Sequence, residues 1–176
     1  MELKERNSPV IKERFLQFIE TLRGKIVFAF ICGSVAKNRT DVGSDIDVFI
    51  CVKVLGADFK TRFRKWYERV HRDLKFKPDN VFPGEIMTLQ KLDANLRKAQ
   101  KSTPNKNIKD RGVHDGVVWA GMLCSKTLGF VGNRNVFLLR KTLAKKILIG
   151  WKKDLMQKFK AMSSDSFLKE IVKYEK

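Results

Sequence analysis

Residues 30–50 read FICGSVAKNRTDVGSDIDVFI, a polar stretch enclosed by two apolar runs. The runs Lys25–Cys32 and Asp45–Val54 are rich in Ile, Val and Phe, which predicts two buried β-strands. Gly33 and Ser34 end the first strand, and a short helical turn and a loop are expected to follow them. This order predicts polar groups at the points where the two strands meet their connecting loop.

The turn after the first strand has the residue types of a phosphate-binding turn. Glycine at position 33 lets a phosphate approach the backbone closely. The amides of the turn and the Ser34 hydroxyl can donate hydrogen bonds to phosphate oxygens.

Two carboxylates stand at the start of the second strand. Side chains two residues apart share one face of a strand, so Asp45 and Asp47 are expected on one side and Ile46 in the core. Adjacent carboxylates repel each other unless a cation lies between them, and Mg²⁺ or Mn²⁺ suits oxygen ligands. A phosphate-binding turn beside two carboxylates predicts metal-assisted phosphoryl or nucleotidyl transfer.

The pair Gly33-Ser34, ten intervening residues and then Asp45-Ile46-Asp47 resembles the signature of the DNA polymerase β-like nucleotidyltransferases. The shortness of the chain resembles the minimal members of that superfamily, and the resemblance covers about residues 25–54. It implies an α/β (α+β) fold: a nucleotidyltransferase-like core with a short mixed β-sheet packed by helices, plus C-terminal helices. It also implies an NTP co-substrate, Mg²⁺ or Mn²⁺ as the cofactor, and NMP transfer to a hydroxyl or phosphate with release of pyrophosphate.

The resemblance also assigns expected roles to individual residues. Asp45 and Asp47 are the expected metal ligands, and Gly33 and Ser34 the phosphate-binding pair. Three further residues of the segment are candidates for nucleotide contact, although Ser44 also suits a cap or a turn: Lys37, Arg39 and Ser44.

A third carboxylate usually completes such a site from a later strand, as a metal ligand or general base. No Asp stands between two hydrophobic residues on a third predicted strand. Glu85 opens the predicted strand 85–92 and is the first choice for this carboxylate, and Asp79 is the second.

The charge of the chain favours anionic partners. The sequence has 37 Lys and Arg against 19 Asp and Glu, a formal net charge of +18. Such a protein attracts polyanions, so RNA is preferred as the acceptor over a cationic small molecule such as an aminoglycoside. A protein acceptor and a non-catalytic nucleic-acid-binding module on the same scaffold stay open, as does a toxin–antitoxin component.

Cysteine usage and hydropathy indicate the compartment. The three cysteines form no CxxC pair, which argues against a zinc knuckle, and Cys32 and Cys51 lie in apolar runs typical of buried thiols. The charged N-terminal residues lack a signal-peptide pattern, and no apolar run approaches the roughly 20 residues of a spanning helix. A cytoplasmic protein is expected, and the oligomeric state is left open.

The remaining pattern divides the chain into a catalytic core, 1–105, and a C-terminal helical region, 106–176, expected to pack on the core. Ser8 is expected to cap the first helix, and residues 129–135 to form a loop. Two basic helices are expected over 137–150 and 151–162. His71 is expected on the surface, and Asp115 is expected to cap a helix beside an exposed His114.

Overall fold

A computed structural model describes residues 7–40, 44–76, 85–102 and 110–159, with the side chains of 7, 85 and 153–159 excepted. Within these ranges the chain forms six helices and four strands. In chain order they are α1 (Asn7–Glu20), β1 (Ile26–Ile31), α2 (Gly33–Lys37), β2 (Val48–Val52), α3 (Phe59–Asp73), β3 (Glu85–Thr88), α4 (Leu89–Lys101), α5 (Arg111–Cys124), β4 (Leu128–Gly132) and α6 (Arg134–Phe159).

The four strands form one mixed sheet in the order β3-β2-β1-β4. β1 pairs antiparallel with both β2 and β4, whereas β2 pairs parallel with β3. The apolar sequences IVFAFI and VFICV occupy the two central positions, where both faces of a strand are covered. The predicted mixed sheet packed by helices is confirmed.

Helices α1 and α3 supply most of the helical side chains of the main hydrophobic core. Phe15 on α1 and Phe63 on α3 are buried in one cluster with Ile31 of β1 and Ile50 of β2. The Trp66 indole N–H donates a hydrogen bond to the Arg14 carbonyl oxygen at 3.2 Å, which links the two helices. The apolar face of α3 therefore forms part of the core.

The chain divides into two compact units. The first comprises Met1–Leu89 and Ser125–Val136 and contains the sheet, and the second comprises Gln90–Cys124 and Phe137–Lys176. In the second unit, the Trp151 indole N–H donates to the Ala99 carbonyl oxygen at 2.8 Å. A membrane-crossing helix is absent from the described part of the chain, where every helix is too short or too polar for one. The predicted division into 1–105 and 106–176 stays a prediction.

Two predictions for the C-terminal half are wrong. Part of the predicted loop 129–135 is strand β4, which lies at the sheet edge beside β1. Its sequence LGFVG contains two glycines, a pattern that indicates a turn rather than a strand. Both glycines have a positive φ within the strand. The two predicted basic helices are one helix, α6, because Gly150 does not interrupt it.

The predicted helix caps are also wrong. α1 begins at Asn7, and the Ser8 hydroxyl lies 3.1 Å from the Val35 carbonyl oxygen rather than capping its own helix. α5 begins at Arg111, and the Asp110 carboxylate accepts hydrogen bonds from the two amides that follow at 2.7 and 3.2 Å. Asp115 is buried and pairs with Arg111 at 2.9 Å.

His114 is buried as well, against the prediction of an exposed ring. It lies in α5 with 3% of its surface exposed, and its Nδ1 is 3.6 Å from an oxygen of Asp115. The N-terminal half of α5 is covered on nearly all sides, so neither residue behaves as a helix start at the surface.

Candidate active site

The turn at the end of β1 has the backbone conformation that only glycine adopts easily. Cys32 is extended, and Gly33 then takes a φ of +66° in the left-handed region before α2 begins. Asn38 ends α2 in the left-handed conformation, and the Arg39 amide donates to the Ser34 carbonyl oxygen at 2.9 Å. A single short helical turn therefore follows the strand, as the sequence predicts.

Gly33 and Asp47 are in direct contact. A Cβ atom on Gly33 would lie 1.7 Å from Oδ2 of Asp47 and 2.8 Å from its Cγ. The Asp47 carboxylate therefore occupies the space that any other side chain at position 33 would need. The fold brings together the two motifs that the sequence separates by ten residues.

The segment that carries the two aspartates continues the pairing of β1 with β2. Ile31 is paired with Val48, and the Cys32 amide donates to the Asp47 carbonyl oxygen at 3.0 Å. Both aspartates precede β2 instead of lying within it, which corrects the predicted strand start at Asp45. Ile46 is fully buried between them and both aspartates are half-buried, as the alternation predicts.

The pKa of the Cys32 thiol is affected by the charges of the nearby carboxylates. Burial raises its pKa well above the ordinary value, and the negative charge of Asp47 and, more weakly, of Asp45 raises the pKa further. The field of both carboxylates therefore reaches one buried atom. Lys37 acts in the opposite direction on the same pKa, so its ammonium group lies within electrostatic range of this thiol.

The arrangement suits a hard divalent cation. Two half-buried carboxylates supply oxygen ligands and two negative charges, which a bound cation would offset. No group of three His, Cys, Asp or Glu side chains converges anywhere in the described ranges, which leave out the Glu85 side chain. A metal bound by Asp45 and Asp47 would therefore need at least one further ligand from outside the described His, Cys, Asp and Glu side chains.

The remaining candidate residues for nucleotide contact and for the third carboxylate differ in exposure and position. Lys37 and Arg39 are exposed, and Ser44 is half-buried. Glu85 is the first residue of β3, and its backbone is in register with Phe49, two residues beyond Asp47. Asp79 lies outside the described residues.

The contacts of two residues at the site, Ser125 and His71, were not predicted from the sequence. The Ser125 side chain, just before β4, forms a hydrogen bond with the Cys32 thiol, which lowers the pKa of that thiol. His71 was expected on the surface, yet only 1% of it is exposed, and its Nε2 accepts a hydrogen bond from the Ile46 amide at 3.1 Å. Its position four residues after the buried Tyr67, on the same face of α3, was the available signal for burial.

Comparison with known families agrees with this geometry. A family model described as a nucleotidyltransferase domain matches residues 12–105, which is more than half of the chain and includes the whole segment from Gly33 to Asp47. The chain belongs to the nucleotidyltransferase domain family. Neither the comparison with curated proteins nor the comparison with solved structures gave a significant match.

Membership of the nucleotidyltransferase family confirms the predicted superfamily and supports nucleotidyl transfer as the general activity. The match runs from α1 through α4, so it covers three of the four strands and the turn between β1 and β2. β4 lies outside the matched residues, although it completes the sheet of this nucleotidyltransferase.

Proposed function

We propose that this nucleotidyltransferase transfers NMP from an NTP to a hydroxyl of RNA in a reaction that requires Mg²⁺ or Mn²⁺. The observation that carries the proposal is the contact of Asp47 with Gly33. It brings a carboxylate that suits a cation against a turn that suits a phosphate, and nucleotidyl transfer needs both groups within a few ångströms of one another.

In this proposal Asp45 and Asp47 hold the cation, and Gly33 and Ser34 bind the β- or γ-phosphate. When bound, the cation neutralises charge on the triphosphate and polarises the α-phosphate. Lys37, whose charge is felt at the buried Cys32 thiol, adds a positive group on the same side, where it can contact the triphosphate.

Arg39 and Ser44 are proposed to contact the nucleotide as well. Arg39 is exposed just after the phosphate-binding turn, and Ser44 immediately precedes Asp45. Glu85 is the proposed third carboxylate, and the parallel pairing of β3 with β2 supports it because its backbone lies beside Phe49. Asp79 is the alternative.

The reaction balances without further reagents. The acceptor oxygen forms a bond to the α-phosphorus, the bond from that phosphorus to the bridging oxygen breaks, and pyrophosphate leaves. The hydroxyl proton passes to the third carboxylate, Glu85 or Asp79, acting as general base.

A basic groove between α1 and α3 supports RNA as the acceptor. The groove has a volume of 570 Å³, and four cationic side chains line it against one acid, Asp73: Arg14, Arg62, Lys65 and Arg69. Arg14 pairs with Asp73 at 2.7 Å. Among the described residues no hydrogen bond or ion pair engages Lys65 or Arg69, so both are available to backbone phosphates.

The groove lies on the α1–α3 side of the sheet, where the Ile46 side chain is buried. Asp45 and Asp47 alternate with Ile46 and are expected on the other side. The groove would therefore bind the RNA backbone at some distance from the hydroxyl that reacts. Each phosphate contact in single-stranded RNA contributes about 0.7 to the slope of log affinity against log salt. The double variant Lys65→Gln/Arg69→Gln should therefore reduce this slope by about 1.4. Lys60→Gln/Arg64→Gln removes the same charge from another face of α3 and should leave the slope nearly unchanged.

Transfer itself is tested by release of pyrophosphate and by label from α-labelled NTP, with Mg²⁺ or Mn²⁺, with and without RNA. Asp45→Asn and Asp47→Asn should each lower turnover by about 100-fold or more. Asp58→Asn is the matched control, because Asp58 lies in the same unit on the surface. Parent-like turnover in both site variants would end the proposal.

The same experiment addresses the alternatives. A non-catalytic nucleic-acid-binding module would bind RNA in the groove and release no pyrophosphate with any NTP and metal. Labelled product without RNA would instead indicate a small-molecule or protein acceptor.

A further inference from the structure

His71 makes two hydrogen bonds that fix its ring and its protonation state. Its Nδ1 lies 2.9 Å from the Tyr67 carbonyl oxygen, and its Nε2 lies 3.1 Å from the Ile46 amide nitrogen. An amide nitrogen can only donate, so Nε2 carries the lone pair and Nδ1 carries the proton. The imidazole is therefore a neutral acceptor aimed at the backbone of Ile46.

Ile46 is the residue between the two aspartates. Its amide precedes β2, and its side chain is fully buried. On the next residue, the carbonyl oxygen of Asp47 accepts a hydrogen bond from the Cys32 amide at 3.0 Å. One hydrogen bond from α3 and one from the end of β1 therefore anchor two successive residues of the segment that carries Asp45 and Asp47.

From this geometry we propose that His71 is a positioning residue for the carboxylate pair; the inference rests on the proposed function of that pair. The imidazole holds the Asp45–Ile46 peptide so that both carboxylates face one ligand. Replacing it by a side chain with no acceptor frees the peptide to rotate and spreads the carboxylates over several orientations.

The surroundings of His71 suit a rigid support. The Tyr67 ring lies 3.8 Å from the imidazole centre, and the Phe76 ring meets it edge-on at 6.3 Å. Only 1% of His71 is exposed, so water cannot replace the imidazole as the partner of the Ile46 amide. Mutation of a group that orients a metal ligand by hydrogen bonding typically lowers metal affinity or activity by about 10- to 100-fold.

The test uses three variants of the full chain. His71→Gln keeps an acceptor oxygen at a similar reach, and His71→Phe keeps a ring of similar shape but has no acceptor. Phe63→Leu perturbs the same core near the other end of α3 and serves as the control. All are compared at a temperature where circular dichroism shows them folded.

Two measurements need no turnover: hydrogen exchange of the Ile46 amide, and Mn²⁺ binding by water proton relaxation. In His71→Phe the Ile46 amide should exchange faster and the Mn²⁺ dissociation constant should rise about tenfold or more. kcat should fall by a similar factor, with a smaller change in KM for the acceptor. His71→Gln should recover most of each effect, and Phe63→Leu should resemble the parent in all of them.

Parent-like exchange and Mn²⁺ binding in His71→Phe would overturn the inference while leaving the proposed function intact. Equal losses in Phe63→Leu and His71→Phe would also overturn it, because the effect would then be general destabilisation. If His71→Phe does not fold, His71→Gln is compared with His71→Asn, whose shorter side chain cannot reach the Ile46 amide. Equal Ile46 exchange and equal Mn²⁺ binding in these two variants would then overturn the inference. A parent that neither binds Mn²⁺ nor turns over refutes the proposed function, and this inference with it.

Discussion

Replacing Gly33 by alanine perturbs the contact on which the proposed function depends. Gly33 has a φ of +66°, and an alanine in the left-handed region costs about 1–2 kcal/mol. Gly24 offers a matched control, since its φ is +82° and nothing lies within 4 Å of the position of its Cβ atom. Gly24→Ala therefore has the backbone cost alone, and the comparison isolates the steric effect at position 33.

The steric effect falls on Asp47. The new methyl group would start 1.7 Å from Oδ2, and real Cβ atoms essentially never approach closer than 3.0 Å. The carboxylate must therefore move by roughly an ångström or more, a misplacement that can reduce catalysis about 100-fold. Because Asp47 is half-buried rather than enclosed, its side chain can rotate, and the stability loss should stay close to that of Gly24→Ala.

Pyrophosphate release and urea unfolding measure the two effects separately. Both variants should lose about 1–2 kcal/mol, equivalent to a melting temperature lower by about 2–4 °C for each kcal/mol. Only Gly33→Ala should lose turnover by about 100-fold. Equal turnover in the two variants would refute the idea that position 33 must leave room for the Asp47 carboxylate.

Three further predictions concern stability measured by urea unfolding. Burial lowers the pKa of His71 below its ordinary value of 6.5, so the unfolded state binds protons more readily. Stability should therefore fall as pH drops from 7 to 5, and less steeply in His71→Phe. Gly116→Ala should cost roughly 3 kcal/mol, because its Cβ would lie 2.2 Å from a backbone oxygen, whereas Gly150→Ala, in open space, should stabilise by about 0.5–1 kcal/mol. Asp93→Asn should cost about 1 kcal/mol by weakening the two-point ion pair with Arg140 at 2.7 and 3.0 Å.

The central part of the fold could be predicted because its pattern is local. Continuous apolar runs identify β1 and β2, and a glycine after the first run identifies the turn. The alternation of Asp45, Ile46 and Asp47 predicts the burial of the middle residue, since side chains alternate along extended backbone.

The rest depends on contacts between distant parts of the chain. His71 lies among basic residues of α3, and the group that its ring accepts a hydrogen bond from, the Ile46 amide, is 25 residues away in the sequence. β4 is held in the sheet by its pairing with β1, which short-range propensity cannot predict for a sequence with two glycines. No local pattern links Ser125 to Cys32, which is 93 residues earlier.

The same geometry would let the main chain of the site stay fixed while its carboxylates bind the proposed cation. Both anchors of the aspartate segment act on the main chain: His71 on the Ile46 amide and Cys32 on the Asp47 carbonyl oxygen. Carboxylate oxygens are not used in either contact. An anchor that bound the carboxylates directly would compete with a cation for the same oxygens, whereas these anchors hold the main chain of the segment without that competition. Gly33 leaves open the space beside the turn that the Asp47 carboxylate occupies.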